Sequence, residues 1–245
     1  MLTPVQRAVA EIIGRTVGQD FALGGGAALQ IHGVVDRASR DIDAYATSHD
    51  PALYERAETL VVGALRELGY EVVVEKRLDW FRALTVADPR SGEKVGVDLG
   101  VMRRTAPPVD VPPLGLVLAL PDLRSGKLDA LLARRAGRDY SDIDVFLRSG
   151  VWTVAGIADD VAVRHPELTL ADVREIFRSA GDVDDWEFRE AGLDVAAAEA
   201  MARRFNDYAD RLGAGSGTAR GRPGWDAVGL SSRSDGRADQ DCPGP

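Results

Sequence analysis

Apolar residues at Val5, Val9, Ile12, Ile13 and Val17 recur at the three- and four-residue spacing of one helical face, which predicts a helix over LTPVQRAVAEIIGRTVG. Thr3, Pro4 and Gln6 supply its start: a capping hydroxyl, a first-turn proline and the third residue of a capping box. A short apolar strand, DFALG, runs into a glycine-rich turn and a brief helix from about Ala27 to His32. The stretch from Arg40 to Ala46 alternates and predicts a second strand. Asp50-Pro51 opens an amphipathic helix carrying Leu53, Ala57, Leu60, Val61, Ala64, Leu65 and Leu68, which Gly69 closes. Three strand-like runs follow, YEVVVEK, FRALTVAD and KVGVDLGVM, and the turn PRSGE makes the last two a hairpin.

Beyond Met102 the pattern changes. APPVDVPP reads as a proline-rich connector. Helical periods then run over about 122–136, 140–147, 153–163, 170–179 and 195–212, the fourth started by a capping-box-like Thr169 and Asp172. The segment 213–245 is rich in Gly, Ser, Arg and Asp and reads as a disordered tail. The expected architecture is therefore α+β: a mixed-sheet domain with flanking helices over 1–105, a helical bundle over 106–212, and the tail.

Composition narrows this little. A chain of 245 residues with 45% hydrophobic and 28% charged content fits an ordinary globular protein with a substantial core. A net charge of -9 argues against a uniformly basic nucleic-acid-binding surface, though not against a local basic patch. The single cysteine, Cys242, permits no internal disulfide, and neither a signal-type h-region nor a long apolar span occurs, so a cytoplasmic, non-membrane protein is expected.

The triplet Asp-Ile-Asp occurs twice, at 41–43 and at 142–144. Period distinguishes the two copies. On a strand, residues two apart share a face, so Asp41 and Asp43 present two carboxylates together. On a helix they lie about 200° apart, so Asp142 and Asp144 cannot grip one ion. Paired carboxylates need a compensating positive charge, and oxygen-rich pairs suit a hard cation such as Mg²⁺ held jointly with substrate phosphates. The strand that enters Gly24-Gly25-Gly26 and continues as a helix places backbone N–H groups where a phosphate can be received.

GGAALQIHGVVDRASRDID, residues 25–43, resembles the first motif of nucleotidyltransferases of the DNA polymerase β superfamily. Arg37, Ser39, Asp41 and Asp43 match the R-x-S/T-x-D-I-D form of the AbiEii/AbiGii toxin family. GKLDALLARRAGRDYSDIDVFL, residues 126–147, resembles that family's helical signature through Lys127, Arg134 or Arg135, Arg138-Asp139 and Asp142. Together they span residues 20–147, in the family's order.

The resemblance implies that Asp41 and Asp43 bind Mg²⁺ and, through it, the triphosphate of a nucleotide. Gly25 and Gly26 would hold the phosphate tail. Asp98 is the candidate third acid, as metal ligand or general base. Lys127 and Arg138 would contact the nucleotide from the helical half, with Asp139 or Asp142 orienting it or completing the site. It further implies a toxin with a cognate antitoxin and, as in some relatives, tRNA or another RNA as acceptor. One departure stands out: superfamily members carry Ser or Thr after the glycines, where this chain has Ala27.

Plainer readings accompany each residue. Asp98 could be an ordinary hairpin acid, Lys127 a surface lysine, Asp139 and Asp142 partners of Arg135 and Arg138, and His32 a packing or capping residue. The cluster Arg124, Lys127, Arg134, Arg135 and Arg138 could face the cleft or form a solvated helix face balanced by Asp122 and Asp129. Two alternative functions follow. The acidic surface would attract a cationic aminoglycoside-type acceptor. Ala27 would suit a catalytically silent binding protein that keeps the fold.

Overall fold

In the computed structural model residues 1–214 are described; the segment read as a disordered tail lies outside them, apart from Gly213 and Ala214, which close the last helix. The elements are α1 (Pro4–Val17), β1 (Ala22–Gly24), α2 (Gly25–Ile31), β2 (Asp41–Ala46), α3 (Pro51–Glu67), β3 (Glu71–Leu78), β4 (Phe81–Ala87) and β5 (Lys94–Val101). They continue as β6 (Val109–Val111), β7 (Gly115–Val117), α4 (Leu120–Arg134), α5 (Gly137–Arg148), α6 (Val154–Arg164), α7 (Leu170–Arg178), a 3-10 turn (Ser179–Asp182), α8 (Asp185–Glu190) and α9 (Val195–Ala214).

The strands form one mixed sheet ordered β3-β4-β5-β2-β1-β7-β6. β2 runs parallel to β5 and β1 to β7; the remaining neighbours are antiparallel, including the expected β4–β5 hairpin. The α+β class is as expected. One element reading is corrected. The proline-rich segment is more than a connector, since it contains β6, which pairs with β7 just after it and carries the sheet on beyond residue 105. A proline has no N–H for a ladder, but Pro107, Pro108, Pro112 and Pro113 flank β6 rather than enter it, and β6 is itself the edge strand. Asp122 anchors the approach to them by accepting from the backbone N–H groups of Thr105 and Ala106, at 2.7 and 3.2 Å.

Alternation decides the sheet's two faces. Ile42, Ala44 and Ala46 of β2 and Val95, Val97 and Leu99 of β5 are buried on the face that α1 covers, while α3 packs on α1, β3 and β4. Asp41, Asp43 and Tyr45, with Gly96, Asp98 and Gly100, therefore occupy the opposite face. The capping box of α1 forms as expected: the Thr3 hydroxyl accepts from the Gln6 N–H at 3.1 Å, and the Gln6 side chain accepts from the Thr3 N–H at 3.0 Å. The Gln6 amide then donates to the Ser39 carbonyl at 2.7 Å, tying α1 to the loop that leads into β2.

α1 approaches the β6–β7 turn without side chains between them. A Cβ on Gly14 would lie 2.3 Å from the Leu114 carbonyl oxygen, and one on Gly115 would lie 2.8 Å from the Gly14 Cα. Neither backbone can yield cheaply, so Gly14→Ala is expected to cost about 2 kcal/mol or more and to lower the melting temperature by roughly 4–8 °C. Gly63, mid-helix in α3, has nothing within 4 Å of an added Cβ. Gly63→Ala should instead gain about 0.5–1 kcal/mol from helix propensity alone. Thermal melts followed by circular dichroism check both signs in one series.

Candidate active site

The acids meet in one row across the sheet. Gly24 of β1 pairs with Asp43 of β2, and Asp43 pairs with Asp98 of β5. Asp41, two residues before Asp43 and opposite Gly96, completes the group on the same face. The cradle beside it is shaped by the absence of side chains. Gly25 has φ +57, and a Cβ there would fall 1.7 Å from Asp43 Oδ2. A Cβ on Gly26 would fall 2.8 Å from the Ser39 hydroxyl, and one on Gly96 would fall 2.4 Å from Asp41 Oδ1. Glycine is thus required for the backbone to come this close to the carboxylates.

These carboxylates repel each other in a partly dry setting. Burial pushes the Asp43 carboxyl upward and Asp41 adds to the rise, against an opposing pull from Lys127, Arg138 and Arg134. Asp98 is pushed up to about 6 by burial first, then by the charges of Asp43 and Asp41. Raised values of this kind identify a negative cluster short of positive charge. Among the described residues no three acidic, His or Cys side chains stand close enough to cage a metal by themselves. The donor set fits a hard cation that takes one or two carboxylates and completes its shell with phosphate oxygens and water.

The facing wall comes from α4 and α5. Lys127 sits 2.9 Å from Asp142 and 3.6 Å from Asp139. Arg37, in the loop before β2, makes a two-pronged pair with Asp142 at 2.9 and 2.6 Å, and Arg134 does the same with Asp139 at 2.6 and 3.0 Å. A chain of alternating charge results: Arg37, Asp142, Lys127, Asp139, Arg134. Burial alone would raise the Asp142 pKa, yet Lys127 and Arg37 outweigh it and hold the carboxyl below its ordinary value. Asp139 and Asp142 have no exposed surface and do not line the cleft, whereas Arg37, Lys127, Arg134 and Arg138 do. The two acids stand behind the wall and fix the cations that face the sheet. Their partners are Arg134, Arg37 and Lys127 rather than Arg135 and Arg138.

Asp144 points elsewhere. It accepts from Arg204 at 2.8 and 2.7 Å and from the Tyr208 hydroxyl at 3.2 Å, joining α5 to α9. The two acids of the second Asp-Ile-Asp therefore serve different contacts, as their helical spacing requires. The basic cluster also divides. Arg124 stacks over the Trp152 ring at 5.3 Å, and Arg135 ends α4 in the left-handed region, φ 53. Arg138 lines the cleft, with its guanidinium 4.0 Å from Asp41. His32 stands at the C-cap of α2, with its ring 2.9 Å from the Leu118 carbonyl.

The cleft has a volume of about 410 Å³. One lip, absent from the sequence reading, is α8: Trp186 and Glu190 line the cleft, and Glu190 pairs with Arg40 at 2.8 Å across its mouth. Six residues are too few to display a helical period, so no pattern announced this element. Ser39 also lines the cleft, donating its hydroxyl to the Asp41 carbonyl at 3.0 Å. Ala27 does not line it; it lies in the core, 1% exposed.

An acid row on a mixed sheet, a glycine cradle at its side and a cationic helical wall opposite define the nucleotidyltransferase class. The family described as nucleotidyl transferase AbiEii toxin, of type IV toxin–antitoxin systems, matches residues 7–228, and the chain belongs to it. Membership implies a cognate antitoxin as partner. Among solved structures, MenT4, a nucleotidyltransferase toxin from Mycobacterium tuberculosis H37Rv, is 23% identical with a TM-score of 0.57, over 84% of this chain and 82% of that one. A putative nucleotidyltransferase from Helicobacter pylori is 18% identical with a TM-score of 0.49, over 85% of this chain and 91% of that one. No curated protein sequence matches significantly. Among the described residues no helix is long and apolar enough to cross a membrane.

Proposed function

We propose that this toxin moves a nucleoside monophosphate from a nucleoside triphosphate to an acceptor hydroxyl, with tRNA or another RNA as the acceptor in the cytoplasm. The observation that carries the reading is the in-register row of Gly24, Asp43 and Asp98 with the Gly25 cradle packed against Asp43. Asp41 and Asp43 would hold Mg²⁺, and the triphosphate would rest against Gly25 and Gly26 with Lys127, Arg134 and Arg138 facing its charge. Bound there, magnesium supplies neutralisation of the phosphates and of the departing pyrophosphate. The acceptor oxygen bonds to the α-phosphorus as the bond from that phosphorus to the bridging oxygen breaks. Pyrophosphate leaves with the electron pair, and the acceptor's proton passes to Asp98. In the metal-free protein this carboxyl is raised to about 6, a stronger base than an ordinary aspartate and still mostly ionised at pH 7.

Ser39 bears on the departure at Ala27. Because Ala27 belongs to the core, its lack of a hydroxyl gives little support to a silent protein. The Ser39 hydroxyl, beside Gly26, is the group that would meet a phosphate oxygen instead. Ser39→Ala is expected to raise KM for the nucleotide about 10-fold, the value of one hydrogen bond to a charged group. Steady-state kinetics with varied nucleotide checks it.

The function is tested by incubating the protein with Mg²⁺, α-labelled nucleoside triphosphates and either bulk tRNA or an aminoglycoside. Label in the tRNA and released pyrophosphate are expected. Label in the aminoglycoside would assign the small-molecule alternative, and label in neither would remove the transferase reading.

A further inference from the structure

The face that carries the acids continues past them. One pleat beyond Asp43 and Asp98 stand Tyr45 and Gly100, in register with each other. The Tyr45 ring is clasped between glycines: a Cβ on Gly24 would lie 2.6 Å from it, and one on Gly100 would lie 3.3 Å from it. The Phe81 ring borders the far side of Gly100, 3.7 Å from the same Cβ position. Beyond it Trp80 and Leu78 are large apolar side chains left 45% and 52% exposed. His49 meets the Trp80 ring edge-on at 4.8 Å between centroids, which fixes its attitude. Tyr45, Gly100, Phe81, Trp80 and Leu78 line a groove of about 610 Å³, and Tyr45 lines the cleft as well.

Substrate geometry gives the groove a purpose. An in-line displacement brings the incoming oxygen to the α-phosphorus from the side opposite the departing pyrophosphate. With the phosphates at Gly25 and Gly26, beside β1, the hydroxyl must arrive over Asp98 from the β5–β4 side. The groove opens there. We infer that it is the acceptor subsite, where an unpaired nucleobase next to the reacting hydroxyl stacks on Trp80 above a floor of Tyr45, Gly100 and Phe81. The inference rests on the transferase reading.

The lining selects the occupant. Its charged side chains are Arg77 and Asp79, of opposite sign, and the remaining surface is mainly aromatic and aliphatic. A polycationic aminoglycoside would seek several carboxylates, whereas a base needs a π-face and little charge. Exposed aromatics of this kind are the sequence-tolerant platforms on which single-stranded nucleic acid is held.

The experiment uses the full chain with 5-fluorotryptophan in its four tryptophans, Trp80, Trp152, Trp186 and Trp225, assigned by single substitution. Bulk tRNA should shift the Trp80 fluorine resonance, and tobramycin at equal concentration should not. In transfer assays, Trp80→Ala should raise KM for tRNA about 10-fold to 100-fold, the loss of one stacked base. KM for the nucleotide should stay within about twofold by the same reasoning. Trp80→Phe should recover most of the loss, which a merely structural role would not produce. Wild-type transfer with unchanged tRNA KM in Trp80→Ala overturns the groove alone, whereas no transfer by wild type removes the transferase reading beneath it. A Trp80 resonance silent to tRNA but shifted by purified antitoxin would make the groove a partner face and overturn the inference.

Discussion

Asp43→Asn is expected to lower transfer by about 10³-fold or more, to relieve growth arrest in expressing cells, and at the same time to raise the melting temperature of the metal-free protein. Loss of activity follows from removing the carboxylate proposed to hold the metal at the centre of the row, where electrostatic stabilisation contributes most. The gain in stability follows from the same charge. Asp43 and Asp41 help push Asp98 from an ordinary 3.8 to about 6, with burial as the larger cause. A carboxyl whose pKa is raised in the folded state favours the fold when protonated, and that stability is lost as pH rises from the unfolded value, near 4, through about 6. A rise from 3.8 to about 6 corresponds to about 3 kcal/mol for a dry carboxyl, and partial solvent access to Asp98 reduces this to about 1 kcal/mol. Wild type in EDTA should therefore melt lower at pH 7.5 than at pH 4.5, by about 2–4 °C, and Asp43→Asn should narrow the gap. Adding Mg²⁺ with nucleotide should restore the wild type and leave the variant unmoved. An inactive variant that also melts lower at every pH would show that Asp43 supports the fold, and its role in the chemistry would have to be argued afresh.

Much of this site was legible because short-range periodicity governs it. A strand places Asp41 and Asp43 together and Ile42 in the core whatever the rest of the chain does. Helical spacing likewise separates Asp142 from Asp144. What the pattern could not say is whom the helical acids meet. Arg37 reaches Asp142 across 105 positions, and Arg204 reaches Asp144 across 60. Spacing in sequence carries no information about such pairs, so acids that resembled nucleotide contacts stand behind the cleft wall. β6 and β7 were hidden for a related reason. Prolines argue locally for a connector, and pairing to β1, some ninety residues earlier, overrides that argument. α8 was too short for a period, and its place at the cleft's lip depends on the packing of α5 and α9 around it.

The largest stability effect should come from Asp142→Ala. Asp142 has no exposed side-chain surface and compensates two cations at once, Arg37 at 2.6 Å and Lys127 at 2.9 Å. Removing it strips Arg37 of its carboxylate and leaves Lys127 with only the more distant Asp139, at 3.6 Å. The loss is about 3 kcal/mol, at the low end of the roughly 3–5 kcal/mol of a broken buried pair, at about 2–4 °C per kcal/mol in a chain of this size. Activity should fall with stability, because the freed lysine and arginine no longer hold their positions on the wall. A double-mutant cycle separates the pair from its surroundings: with Arg37→Ala in place, Asp142→Ala should cost less than in the wild type, by about 1–3 kcal/mol. Asp144→Ala is the matched comparison, two residues on and about 200° around the helix from Asp142. Its partners Arg204 and Tyr208 join α5 to α9, so it should lower the melting temperature while leaving KM for the nucleotide within about twofold. Equal effects on KM from both substitutions would mean that the wall is positioned by the whole bundle and not by the buried charge chain. An Asp142→Ala protein as stable and active as wild type would remove that chain from the account altogether.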